Sequence, residues 1–314
     1  MDMQQLRQEI FDQLAPHPHM TALLKKAFER PAVPTAIVHP VTDESLGGAV
    51  AAHRLGLISA VLVGPSARIR ECASEHDIDI TDIPIENTEH SHHSAEIAVS
   101  LVHQGEVKAL MKGGLSTDEM LRAILSREKG IRTERRLSHV FYMDIPLYHK
   151  PLLMTDAAIN IQPDLYTKRD IVINAIELAR RLGTDCPKVA LLSAVEKVKA
   201  EIPGTIDAAA LCKMADRGQI KGGMLDGPLA FDNAISREAA ETKGIHSDVA
   251  GDADIMLAPD LEAGNILAKQ LMYLGNAKSA GLLLGAKVPV MLTSRAEKVE
   301  GRLLSCALAQ AAAD

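Results

Sequence analysis

The chain has 314 residues, 47% hydrophobic and 24% charged, with a formal net charge of -7. That composition excludes a largely disordered protein, which could not bury enough apolar surface. The mild acidity excludes the broad basic face a nucleic-acid binder needs to displace counterions. The length suits about two domains of ordinary size. Trp is absent and aromatics make up 3%, so the core must be built from Ala, Leu, Ile, Val and Met. The four cysteines, Cys72, Cys186, Cys212 and Cys306, are scattered without a CxxC pair. They support neither a zinc ribbon nor a disulfide framework and read as reduced thiols of a cytoplasmic protein. The N-terminus has no apolar signal-peptide core. The longest apolar stretches, such as GLLLGAKVPVML from Gly281, are broken by Lys, Gly and Pro. They fall short of the ~20 residues needed to cross a bilayer, so no membrane association is expected.

Short apolar runs alternate with amphipathic segments. In chain order, strands are predicted at TAIVH (35–39), SAVLVG (59–64), KALMKG (108–113), SHVFYMD (138–144) and PLLMTD (151–156). They continue at KVALLS (188–193), GGMLDG (222–227), DIMLAP (254–259), GLLLGA (281–286) and VPVMLTS (288–294). Each has the length of a buried strand, and most end in Gly, Asp, Ser or Pro. Helical patterns lie between them: DEMLRAILSR after Thr117, DIVINAIELARRL from Asp170, and DLEAGNILAKQLMYLG from Asp260. The alternation predicts an α/β fold with a mostly parallel sheet. Ser116 to Glu119 read as a helix cap, as do Thr205 and Asp207, with Gly218 as a stop. His90–Ser94 (HSHHS) reads as a solvated loop, because no carboxylate constellation accompanies it as a metal site would require.

Open α/β sheets bind ligands at the carboxyl ends of their strands. Polar residues gather there: Lys112-Gly113-Gly114, Asp144, Thr155-Asp156, Ser193, Asp226-Gly227 and Thr293-Ser294-Arg295. Gly113 and Gly114 precede a helix start, where backbone amides and the helix N-terminus favour an oxyanion. The loop lacks the GxxxxGK[ST] order of a P-loop. Arg132, Arg135 and Arg136 precede the Ser138 strand and offer planar forks suited to phosphate oxygens. Thr293-Ser294-Arg295 pairs hydroxyls with a guanidinium at a strand end. Asn265 and Lys269 lie one helical turn apart on one face. From these residues alone the chain is a two-domain α/β protein with an Arg-, Lys-, Ser- and Gly-rich cleft for an anionic small molecule.

Eight stretches add a resemblance. MKGGLSTDEMLRAIL, LSHVFYMD, LLMTDAAINIQPDL, KVALLSAVEKV, TIDAAALCKMADRGQIKGG, LDGPLAFDNAIS, VAGDADIMLAPDLEAGNILAKQL and VPVMLTSRAEK run in order from about Met111 to Lys298. In that order they resemble the phosphate acetyltransferase/phosphate butyryltransferase family; the N-terminal third resembles it more loosely. The resemblance implies acyl-CoA + phosphate ⇌ acyl phosphate + CoA, with coenzyme A as a substrate and no metal or other cofactor. It implies two three-layer α/β domains around a central cleft in the isocitrate/isopropylmalate dehydrogenase-like fold, residues 1–148 plus 290–314 and residues 149–289, and a homodimer. The SHVF, DGPLAFDNAIS and TSRA blocks look closer to the butyryltransferase-like branch. That branch also holds enzymes acting on acetyl groups, so the acyl chain stays open between acetyl and butyryl.

The resemblance also implies roles. Ser294 and Arg295 match the family's phosphoryl- and thiol-holding Ser-Arg, and Ser138 its serine near the acyl phosphate. Asn265 and Lys269 match its G-N-x-x-x-K helix. Lys112, Gly113 and Gly114 are expected to bind substrate, as are Arg132, Arg135 and Arg136; which arginine meets the ligand is left open. The acetyltransferases' proposed thiol base, an Asp, falls at Gly301, which leaves Glu300 or Glu297 as carboxylates for that duty. A metal- and nicotinamide-dependent dehydrogenase of the same fold would need an Asp cluster and a nucleotide loop. Only Asp226 and Asp232 approach the first, and no GxGxxG supplies the second. A non-catalytic acetyl-CoA-sensing module would be fused to a malic-enzyme portion, which this chain does not contain.

Overall fold

The computed structural model describes residues 3–292 and 299–313. The chain divides into two compact units, Met1–Arg135 with Ala280–Ala313, and Arg136–Ser279. Both are mixed α/β. The first unit begins with α1 (Met3–Gln13), α2 (Pro18–Phe28), β1 (Val33–Val38), α3 (Asp43–Arg54), β2 (Ile58–Gly64) and α4 (Ser66–Glu75). It continues with β3 (Ile85–Asn87), α5 (Ser91–Gln104), β4 (Ala109–Lys112) and α6 (Thr117–Ile124). The second unit contains β5 (Ser138–Asp144), β6 (Leu152–Thr155), α7 (Leu165–Arg181), β7 (Lys188–Leu192), α8 (Pro203–Asp216), β8 (Met224–Leu229), α9 (Phe231–Ile235), α10 (Arg237–Thr242), β9 (Ile255–Leu257) and α11 (Leu261–Tyr273). The chain then returns to the first unit through β10 (Lys278–Leu284), β11 (Val290–Met291) and α12 (Val299–Ala311). The units divide at 135/136 and 279/280, against 148/149 and 289/290 in the sequence reading.

In the first unit the strand order is β3-β2-β1-β4-β11-β10, parallel except for β10 against β11. The chain steps outward from β1 to β2 to β3, then α5 carries it back across to β4 on the other side of β1. That reversal puts the sheet's switch point between β1 and β4, where such sheets open a crevice. α12 belongs to this unit because it is buried along nearly its whole length, from Arg302 to Ala311. Gln310 at its end donates from Nε2 to the carbonyls of Arg30, Pro31 and Gly56 at 3.0–3.2 Å. The second unit orders its strands β5-β6-β9-β7-β8, with β5 antiparallel to β6 and the rest parallel. Its core joins Met143, Met154 and Met256 from the strands to Ala234, Val249 and Ala268 around them.

Several local expectations are corrected. HSHHS is not a loop: His90 is the N-cap of α5, its Nδ1 accepting from the His93 N–H at 3.2 Å, and Ser91 opens the helix. An imidazole can cap like a carboxylate, but the sequence rules favour Ser, Thr, Asp and Asn. α8 starts at Pro203 rather than after Thr205, because proline's fixed φ suits a first helical turn. Thr205 Oγ1 instead donates back to the carbonyls of Lys199 and Ile202, and Asp207 pairs with Lys168 Nζ at 2.6 Å. β3 escapes the sequence reading because it is three residues long with one apolar side chain.

At the amino ends of β6, β7 and β9 an ion network ties the second unit's sheet together. Lys150 Nζ lies 2.9 Å from Asp252 and 2.8 Å from Asp254. Lys188 Nζ lies 2.5 Å and His149 Nε2 2.9 Å from Asp252. Burial raises the Asp252 carboxyl, but hydrogen bonds from Lys188, Lys150 and His149 outweigh it and hold the group well below the usual carboxylate range. A depressed folded-state pKa stabilises above the unfolded value of about 3.9 and is lost as pH falls through the folded one. Asp252→Asn should therefore cost about 2–3 kcal/mol at pH 7, the scale of hydrogen bonds to a charged group. Urea unfolding at pH 7 and near pH 3 should show the difference from wild type narrowing at the acid end.

Candidate functional site

The switch point of the first unit is built by backbone. The Gly113 N–H donates to the Val38 carbonyl and the Gly114 N–H to the His39 carbonyl, both at 2.8 Å. A Cβ on Gly113 would stand 2.5 Å from the Val38 oxygen and 2.8 Å from the His39 oxygen, so only glycine fits. The two amides expected to face an oxyanion are thus engaged with β1. Lys112 is buried, and its Nζ donates to the carbonyls of Leu115 at 3.0 Å and Gly113 at 3.3 Å. It braces the loop that follows it.

The loop runs directly into α6. Ser116 Oγ accepts from the Glu119 N–H at 3.2 Å, and Glu119 Oε2 accepts from the Ser116 N–H at 2.7 Å, a reciprocal capping box. Ser91 Oγ donates to the other Glu119 oxygen at 2.6 Å, and His92 Nε2 lies 3.2 Å from it. The Ser91 hydrogen bond, then the Ser116 N–H, hold the Glu119 carboxyl down to about 2. α5 and α6 also flank a cavity of about 510 Å³ that touches His92, Glu96, His103, Arg122 and Lys129. None of the expected site residues lines it.

Arg132 is exposed and bridges Ala286 through its backbone; Arg135 is half-buried, its N–H donating to Thr133 Oγ1 at 3.1 Å. Glu300 is half-buried in the first turn of α12. Ser294, Arg295 and Glu297 lie outside the described residues.

In the second unit Ser138 is fully buried at the start of β5, and its Oγ accepts from Asn174 Nδ2 of α7 at 2.9 Å. The same amide donates to the Arg136 carbonyl at 3.0 Å, and the Arg136 N–H donates to Asp170 Oδ2 at 3.0 Å. The Arg136 side chain is left exposed. Beyond β6, the Asp156 carboxylate accepts from the N–H groups of Ala158, Ile159 and Asn160, and from Asn160 Nδ2 at 2.6 Å. Asn160 Nδ2 also donates to the Leu137 carbonyl at 2.8 Å, joining this loop to the start of β5. Asn265 Nδ2 of α11 donates to the Ala157 carbonyl at 2.9 Å. Its neighbour Gly264 lets the helix approach, since a Cβ there would lie 2.5 Å from the Asp156 backbone carbonyl oxygen. Lys269, one turn further, is exposed. Asn160 and Asn265 thus tie the loop after β6 to the start of β5, where Ser138 lies, and to α11, which also carries the exposed Lys269. Burial lowers the His139 imidazole to about 4, while Asp156 acts in the opposite sense.

Asn174 and Asn160 escape the sequence reading, which names Asp156 only as one of the polar strand ends. A lone amide in the apolar stripe of DIVINAIEL was the available signal for Asn174. Of the pair that a metal site would have used, Asp226 Oδ1 accepts from the Gly227 N–H at 2.8 Å and Asp232 lies 3.2 Å from Lys243 Nζ. Among the described residues no group of three or more His, Cys, Asp or Glu is placed to hold a metal ion.

The family described as "Phosphate acetyl/butaryl transferase" matches residues 92–310. The chain is 57% identical over 281 residues to a phosphate acetyltransferase of Rhizobium meliloti, covering 90% of this chain and 89% of that protein. It is 42% identical over 279 residues to a probable phosphate butyryltransferase of Bacillus subtilis, covering 89% and 93%. The crystal structure of a branched-chain phosphotransacylase from Enterococcus faecalis superposes with a TM-score of 0.77 at 32% identity, covering 88% of this chain and 99% of that one.

Gly113→Ala should cost about 1–3 kcal/mol, the scale of overpacking a filled site, because the new methyl meets fixed carbonyls on both sides. Urea unfolding at equilibrium measures it.

Proposed function

Since the chain belongs to the phosphate acetyl/butyryl transferase family, we propose that it moves an acyl group, acetyl first, between coenzyme A and inorganic phosphate: acyl-CoA + phosphate ⇌ acyl phosphate + CoA. The observation that carries this reading is the identity to a named phosphate acetyltransferase along nearly the whole of both chains. Identity to the butyryltransferase relative is lower, which favours acetyl over butyryl.

In this reading the two units are the domains of an isocitrate/isopropylmalate dehydrogenase-like fold. The protein works as a cytoplasmic homodimer on small-molecule substrates, without nicotinamide or metal. No helix among the described residues is long and apolar enough to cross a membrane, which is consistent with that setting. The reaction is direct attack in a ternary complex. A free thiol has a pKa of about 8.5, so the CoA sulfur must lose its proton to become a strong nucleophile. Arg295 neutralises the phosphoryl group with a bidentate fork, and Ser294 holds it beside the thiol. Asn174 keeps the Ser138 hydroxyl in one place, and Asn160 and Asn265 fix the loop beside it. That rigidity is what electrostatic preorganisation needs. The exposed cations Arg132, Arg136 and Lys269 are available to CoA phosphates. Orientation supplies most of the acceleration.

Mixing the protein with acetyl phosphate and CoA should raise thioester absorbance without NAD and in the presence of a strong chelator. Activity abolished by the chelator and restored by magnesium or manganese would overturn the metal-free mechanism. Arg295→Ala should lose about 2–4 kcal/mol of transition-state stabilisation, and Arg295→Lys should recover only part of it. Wild-type turnover in both variants would reduce Ser294-Arg295 to a helix cap. One methylene is worth only about 1–3 kcal/mol in an apolar pocket, so kcat/KM for acetyl, propionyl and butyryl phosphate should lie within a few hundredfold.

A further inference from the structure

The family's aspartate falls at Gly301, on α12, and of the carboxylates expected in its place Glu300 is half-buried on the same helix and Glu297 lies outside the described residues. A histidine that the sequence reading did not single out stands at the switch point of the first unit. His39 follows the last residue of β1 and is held at φ 59°, in the left-handed region that few non-glycine residues occupy. Its carbonyl accepts from the Gly114 and Val41 N–H groups at 2.8 and 2.9 Å, so the backbone on both sides fixes that conformation. Strained residues held this way cluster at active sites.

The ring is fixed as well. His39 Nδ1 lies 3.2 Å from Ser94 Oγ, in the first turn of α5. Ser94 Oγ donates to the His90 carbonyl at 3.0 Å and lies 2.8 Å from Thr88 Oγ1. In the tautomer that makes His39 a base, the Ser94 hydrogen goes to that carbonyl and its oxygen accepts from His39 Nδ1. The proton of the neutral ring then sits on Nδ1, and the lone pair is on Nε2. Nε2 has no hydrogen-bond partner among the described residues. A base held through its other nitrogen by an oriented hydroxyl follows the same logic as a catalytic triad.

The geometry points to His39 as the general base that takes the CoA thiol proton, with Ser94 as its positioning residue. This rests on the acyl-transfer reading. Nε2 accepts the proton from sulfur, and the thiolate attacks the carbonyl carbon of the acyl phosphate. The C–S bond forms as the C–O bond to phosphate breaks. The proton then passes from His39 to the departing phosphate oxygen, which leaves as hydrogen phosphate and restores the neutral ring. Burial lowers the His39 pKa below its ordinary value, with Arg68 at the start of α4 and His90 ahead of α5 acting in the same direction and Glu119 of α6 opposing them. The ring is accordingly neutral, and able to accept a proton, at pH 7.

His39→Asn is the variant of choice, because asparagine tolerates the left-handed region and cannot serve as base. With acetyl phosphate and CoA at pH 7 it should lower kcat by ~10²–10⁴-fold, the range for loss of a general base, and leave KM for CoA within about threefold. The deficit should shrink as pH approaches the thiol's own value of about 8.5. Ser94→Ala, which removes the acceptor favouring the protonated ring, should lower kcat about tenfold and move the acid limb of the pH profile to lower pH. A His39→Asn enzyme that matches wild type across the pH range overturns the inference and leaves the acyl-transfer reading intact. Wild-type protein inert toward acetyl phosphate and CoA overturns both. Should His39→Asn fail to fold, the wild-type profile decides. An acid limb below about pH 6.5 that Ser94→Ala displaces supports His39, and a limb that Ser94→Ala leaves in place, or no acid limb at all, overturns it.

Discussion

The contact between the end of β1 and the loop after β4 sets the geometry of the first unit. Two N–H···O=C bonds cross from Gly113 and Gly114 to Val38 and His39, in a space too narrow for a Cβ at Gly113. Lys112 closes the same loop from within by binding two of its carbonyls. The left-handed bend at His39 is held by that junction, and the loop runs on into the Ser116–Glu119 capping box of α6. The Gly113 and Gly114 N–H groups and the Gly113 and Leu115 carbonyls are thus bonded within the protein.

Much of this fold could be read from the sequence, because it rests on local signals. SHVFYMD is predicted and found at Ser138–Asp144, and KVALL begins and ends within a residue of its prediction. These strands are buried and β-branched or apolar, bounded by polar residues, and nothing non-local competes with that pattern. Ser116 and Glu119 were legible for the same reason: a capping box is a contact between residues three apart. The ordered motifs on both units then identified the family, where no single motif had enough chemical content to do so.

What stayed hidden depends on contacts between residues far apart in the chain. Lys112-Gly113-Gly114 has the composition of an anion-binding loop. Whether its amides face a ligand or β1 is decided by Val38 and His39, more than 70 residues earlier. Ser138 was singled out, but its partner is an asparagine 36 positions along, in a helix that reads as uniformly apolar around it. His39 gave no signal of its own, since a histidine before a proline is ordinary; its backbone angle and its contact with Ser94 exist only in the folded unit. HSHHS drew attention for its metal-like composition. Its role is instead to cap α5, carry Ser94 and bring Ser91 and His92 to Glu119.

Both units treat their loop polar groups in the same way. Around Gly113 and Gly114 the donors and acceptors meet β1 and Lys112; around Asp156 a single carboxylate gathers three consecutive N–H groups and an amide. Each loop is stiffened by bonds it makes to itself or to its own sheet, which leaves the long cationic side chains as the parts turned outward. Arg132, Arg136 and Lys269 are exposed while the backbone near them is bonded. On a chain with a net charge of -7, attraction for an anionic ligand has to come from such local cations. Flexible arms of this kind can capture and steer a phosphate, but they cannot hold a reacting atom to a fraction of an ångström. Ser138 and His39 are of the opposite kind, each side chain being set by a buried partner within its own unit.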